Sequence, residues 1–121
     1  MYFSSPEELK KIIPVCNGVW NKEYLYEYLV WHGNMRFSGY IDRFFDSYLN
    51  DENLADMLFS FLLNDDYDGS DSQMGAARVV SRMDRQLLRK KKDLLLKSQT
   101  NEVEWKRPFP HDEHLEWLEN K

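Results

Sequence analysis

Few residues in this chain have the types and spacing that chemistry needs. His111 and His114 stand at i, i+3, so a helix would place both imidazoles on one turn. Zinc needs at least one more ligand, and Cys16 is the only cysteine. Surface polar residues opening a helix account for that pair. Cys16 sits in an apolar neighbourhood and is expected to be a buried structural thiol. His32 precedes Gly33 and reads as a helix-end residue rather than a base. There is no nucleophile elbow and no glycine-rich phosphate loop. Carboxylates are abundant, but abundance alone places no two of them at catalytic separation. The expectation is a protein without catalytic activity, cofactor or metal.

The run Asn64-Asp65-Asp66-Tyr67-Asp68-Gly69-Ser70-Asp71 invites comparison with a calcium loop. Asn64, Asp66 and Asp68 fall at positions 1, 3 and 5, with Gly69 at the sharp turn. The pattern then fails. Asp71 stands where an apolar residue belongs, and Gly75 stands where the bidentate glutamate belongs. Two readings remain: an acidic loop that caps the following helix, for which Asp71 or Ser72 would serve, or a protein-recognition loop.

After this loop comes a basic series. Arg78, Arg82, Arg85, Arg89 and Lys92 are spaced four, three, four and three apart, which makes one helical stripe. Such a stripe could track a phosphate backbone, and Arg78, Arg82, Arg85 and Arg89 are the candidate nucleic-acid contacts. Against this stands a net charge of −5, which disfavours nucleic acid as main partner. The charge is segregated along the chain. Residues 41–71 carry nine acids against Arg43, and residues 78–97 carry eight basic residues against Asp84 and Asp93. The stripe is therefore also placed to pair with the acidic segment and tie the two halves together.

The elements that must position these groups are helical. Ser5-Pro6-Glu7-Glu8 is a helix start with a capping box, stopped near Ile13 by Pro14, with Leu9, Ile12 and Ile13 inward. Asn17-Gly18 marks a turn. Asn21 caps a second helix, about 21–32, ended by Gly33. Its aromatic stripe of Trp20, Tyr24, Tyr28 and Trp31 is expected in the core. Ser38 caps a third helix to about 49, and Asn50 or Asp51 caps a fourth over 52–63. The inward residues of the fourth are Leu54, Met57, Leu58, Phe61 and Leu62. Residues 72–97 then read as one long helix, the spine of the fold, with Ala76, Val80, Met83, Leu87 and Leu94 on its apolar face. Four successive cations at 89–92 mark a possible bend in it. Residues 101–110 form an extended arm, because Pro108 and Pro110 forbid helix. A short helix over 111–119 buries Leu115, Trp117 and Leu118. No run of alternating β-branched residues is present, although a small sheet around 15–20 is compatible with the pattern. The fold class is all-α, a bundle of six to seven helices in a single domain spanning 1–121.

Nothing in the sequence resembles a signal peptide or a bilayer-spanning run, and one cysteine fits a reducing compartment. Small size, acidity, helical content and the run from Asn64 to Asp71 resemble bacterial immunity proteins. These include the partners of colicins and of contact-dependent growth-inhibition toxins. The resemblance is to the class as a whole and transfers no family-specific residue. It implies a cytoplasmic chain that binds a cognate toxin, such as a cationic nuclease, and covers its site. On that reading Asp51, Glu52, Asp65, Asp66, Tyr67, Asp68 and Asp71 would meet a basic cleft, with Tyr67 as aromatic anchor. The alternative is a nucleic-acid-binding or regulatory module using the basic stripe.

Overall fold

A computed structural model describes residues 5–64, 71–101, 106–109 and 115–118. Among these the chain is an all-α bundle of seven α-helices with one small hairpin. The elements are α1 (Pro6–Lys10), β1 (Val15–Cys16), β2 (Val19–Trp20), α2 (Lys22–Gly33), α3 (Ser38–Phe45), α4 (Glu52–Leu62), α5 (Asp71–Arg82), α6 (Arg85–Lys90) and α7 (Lys92–Gln99). Short 3-10 turns follow α3 at Asp46–Tyr48 and lie near the C-terminus at Glu116–Leu118. Among the described residues, no helix is long and apolar enough to cross a membrane.

Local chemistry sets most helix starts. The Ser5 hydroxyl accepts from the Glu8 N–H at 3.3 Å, and the Asn21 amide oxygen accepts from Tyr24 N–H at 3.0 Å. Asp51 Oδ1 accepts from Leu54 N–H at 2.9 Å. Each satisfies a donor that the first helical turn leaves open. Helix α3 differs: Ser38 does not cap it. Phe37 holds that position in a left-handed conformation with φ of 57° and supplies no side-chain bond. The hairpin pairs Val15 with Trp20 and Cys16 with Val19, turning on Asn17 and Gly18, both at positive φ. This register faces Trp20 inward and leaves Cys16 exposed, so the buried thiol expected from its apolar neighbours is not found. Ile13 is also exposed, because α1 ends at Lys10 and the chain leaves the core before reaching it.

The expected long helix over 72–97 is three helices. Its first break is made by Asp84, whose N–H donates to the Leu49 carbonyl at 2.8 Å instead of continuing the helical ladder. The Asp84 carboxylate accepts from the Gln86 and Leu87 N–H groups at 2.8 and 3.2 Å, and so caps α6. A short acidic side chain competes for backbone donors in this way. The second break is at Lys91, within the run of four cations. Its consequence is a change of face: Ala76, Val80, Met83 and Leu87 are buried as expected, but beyond the break Leu95 is fully buried while Leu94 is only half-buried.

The central element is α2. From Glu27 to Gly33 every residue is buried, including Glu27 itself, which accepts from the Trp31 indole N–H at 3.2 Å. Helix α5 runs antiparallel against it, seated by two glycines. A Cβ on Gly75 would overlap the Leu29 carbonyl, and one on Gly33 would overlap the Asp71 carbonyl. The neighbouring Ala76 and Ala77 are buried as well. Trp20, Tyr28, Phe44 and Phe45 interlock beside it, edge to face or stacked, with ring centroids 5.1–6.4 Å apart. The C-terminal residues Phe109, Trp117 and Leu118 are buried as well. The Gln99 side chain clamps Phe109 there, donating to its carbonyl at 3.1 Å and accepting from its N–H at 2.9 Å.

Candidate partner-binding surface

The basic stripe is occupied within the fold. Arg78 donates to the carbonyl of His32 at 2.8 Å, closing the C-terminal end of α2, and also reaches the Met35 sulfur. Arg82 pairs with Asp42 at 3.1 Å and with Asp46. The Arg85 guanidinium lies over the Trp117 ring at 4.9 Å. Arg89 Nε donates to the Trp117 carbonyl at 2.6 Å. All four arginines proposed for phosphate are thereby committed to internal acceptors or to a ring face. An arginine over an aromatic face or against helix-end carbonyls holds packing as well as charge.

The acidic segment forms the other half of these contacts. Asp42 is shared: besides Arg82 it holds the buried His32 Nε2 at 2.7 Å. Lys91 bridges Asp56 at 2.8 Å and Glu52 at 3.0 Å. Bonds to Asp56 first, then Glu52, hold the Lys91 ammonium above its ordinary pKa. Asp51 spends one oxygen on the α4 cap and the other on the Trp20 indole N–H, at 3.2 Å.

These residues make a continuous band. Asp42 and Asp46 on α3 and the following turn adjoin Asp84, which shares a recess of about 410 Å³ with Asp46, Leu49, Asn50 and Arg82. Asn50 leads into Asp51, Glu52 and Asp56 on α4. Among the described residues, the cations paired with these six carboxylates are Arg82 and Lys91. Two cations cannot neutralise six carboxylates, so the band is strongly negative. Its partly exposed carboxylates keep that charge at the surface.

Of the sequence-based candidates, Asp51 and Glu52 lie in this band. Asp71 is exposed in the first turn of α5, beside Gly33 at the far end of α2. Asp65, Asp66, Tyr67 and Asp68 lie outside the described residues, as do His111 and His114. Asp42, Asp46, Asp56 and Asp84 were not singled out by spacing. Their signal is the excess of acid over 41–56, which one arginine and one lysine of the later basic segment, Arg82 and Lys91, divide between them. Beyond Asp56 the band meets an open groove of about 510 Å³ between the hairpin and α4. Gly18, Val19, Trp20, Lys22, Asn53, Asp56, Met57 and Ser60 line it.

The arrangement defines a class of surface: an acidic, helix-borne patch with a partly apolar groove at its edge. No family model, curated protein or solved structure matches the chain.

Proposed function

We propose that this protein binds a cationic protein through the acidic band of α3, α4 and Asp84, and that it acts as an immunity-type inhibitor of a toxin. The observation that carries the reading is the charge count: of six carboxylates on this surface, Asp42 and Asp46 share Arg82 and Glu52 and Asp56 share Lys91 among the described residues. Such a surface favours encounter with a basic cleft and disfavours acidic partners. Side-chain caps fix the starts of α4 and α6, and the packed aromatic core holds α3, so little ordering is needed on binding. Occupation of a substrate cleft by this patch would block a nuclease without any chemistry by the inhibitor. Asp65, Asp66, Tyr67, Asp68 and Asp71 belong to the same proposal as a second acidic contact.

The test is recovery of the partner from the native cell at low salt, followed by titration of its activity. A basic protein whose activity falls to background at one equivalent is the expected result. Combined Asp42→Asn, Asp46→Asn, Glu52→Gln and Asp56→Asn substitution should then weaken binding by about two orders of magnitude or more. A partner that stays fully active in the complex would rule out inhibition. Unchanged affinity in the fourfold variant would rule out the band. Substituting Asp65, Asp66 and Asp68 together gives the separate contribution of the loop.

A further inference from the structure

We propose that the groove between the hairpin and α4 is the anchor pocket of the acidic band, and that it takes one arginine side chain of a cationic protein partner. This rests on the reading of the band as a protein-binding surface and names what that surface selects. Asn53, Asp56, Met57 and Ser60 stand at i, i+3, i+4 and i+7, so one face of α4 forms a wall of the groove. The hairpin supplies the other wall through Gly18, Val19 and Trp20. Val19 is 72 % exposed, since its pairing with Cys16 places it on the outer side of the hairpin. An apolar side chain left there contributes little to the fold and offers an aliphatic stem a dry contact, together with half-buried Met57.

The polar side of the groove is an acceptor set. Asp56 gives Oδ1 to Lys91, and its second carboxylate oxygen has no partner among the described residues. The Asn53 amide lies one turn away on the same face. A planar guanidinium can bond a carboxylate and an amide oxygen together, with less hydration to lose than an ammonium. Trp20 is held at the edge of the groove by its bond to Asp51, so that wall is fixed in advance. Charge complementarity selects the occupant: Asp51, Glu52 and Asp56 cluster at this end, and among the described residues Lys91 pairs with Glu52 and Asp56. Lys22, the cation among the lining residues, places its ammonium over the Phe61 ring at 5.5 Å.

The test is nuclear magnetic resonance titration of the full chain with capped Ala-Arg-Ala, and with the same peptide carrying citrulline, the neutral isostere. Saturable shifts should centre on the Trp20 indole N–H and the Met57 methyl. The citrulline peptide should bind about tenfold more weakly or worse. Asp56→Asn should cost a similar factor, whereas Asp93→Asn, exposed on α7 outside both band and groove, should leave peptide binding unchanged. Because Asp56 also holds Lys91, Val19→Ser serves as a second variant outside the core and should weaken the arginine peptide severalfold. Equal binding of arginine and citrulline peptides, or shifts spread along the band without a focus at the groove, would overturn the proposal. Decalysine binding separates the two readings. If it remains sensitive to salt and to Asp42→Asn with Asp46→Asn while the groove stays silent, the pocket is wrong and the band stands. If decalysine fails too, both fall.

Discussion

At the residue scale, two proton-binding groups give the fold a defined alkaline limit. Tyr28 is 1 % exposed and donates its hydroxyl to the Ile12 carbonyl at 3.1 Å. Burial first, and then the neighbouring Tyr40, raise its pKa above the ordinary value of 10.0. Lys91 is raised above 10.5 by Asp56 and Glu52. For both groups the native state keeps its proton longer than the unfolded chain does. Their stabilisation is therefore complete below pH 10 and is lost as pH rises through the raised native values. Thermal unfolding midpoints should be flat up to about pH 10 and then fall. Tyr28→Phe should cost about 1 kcal/mol at neutral pH, through loss of one hydrogen bond, and should make the alkaline fall shallower. In the wild type, the phenolate absorbance that this variant lacks should appear together with loss of helical circular dichroism. If it appeared while the helices were intact, Tyr28 would not be sealed by the fold.

At the element scale, the contact between α2 and α5 depends on backbone rather than on side-chain volume. Gly33 and Gly75 each receive a carbonyl of the opposite helix, so even a methyl group has no room. Gly75→Ala should destabilise by about 3 kcal/mol or more, although alanine is the better helix former by about 1 kcal/mol. Chemical denaturation of Gly75→Ala against Gly39→Ala provides the check. At Gly39 an added Cβ meets only the end of the Arg43 side chain, at 3.7 Å. Equal stability of the two variants would show that the helices can separate without cost. This contact also explains what could be read in the sequence. Capping signals at Ser5, Asn21 and Asp51 act through neighbouring residues, and they placed α1, α2 and α4. The apolar face through Leu87 was likewise legible. What was hidden needed partners far along the chain. The basic periodicity of 78–92 is continuous, but the Leu49 carbonyl takes the Asp84 N–H and breaks the helix. Gly33 looked like a terminator, although it is equally the seat for α5. The exposure of Cys16 followed from a two-residue pairing whose register only the folded hairpin fixes. The candidate surface was half legible: Asp51 and Glu52 were singled out, but Asp42, Asp46 and Asp84 join them only when α3, α4 and α6 come together.

At the scale of the whole molecule, the acidic and basic segments fold against each other, but unequally. Cations of the second segment are used twice over, as counter-charges and as packing. Arg78 closes a helix end, and Arg85 and Arg89 hold Trp117. The carboxylates outnumber the cations that reach them, so the excess charge appears on the acidic side. This asymmetry predicts opposite responses to two simple probes. Decalysine should bind the chain with an affinity that falls steeply as salt rises, because exposed charges are screened beyond about 10 Å at 0.1 M salt. The fourfold neutralised band should lower both the affinity and the slope. Double-stranded DNA should bind weakly at every salt concentration, since each arginine of the stripe would have to abandon an internal partner to reach a phosphate. Fluorescence anisotropy over one salt series measures both. A steep salt slope with DNA, lost in Arg78→Gln and Arg82→Gln variants that remain folded, would transfer function to the basic side. In that case Asp42 and Asp46 would act as an internal mimic of the phosphates that Arg82 binds, and partner binding would begin with their displacement.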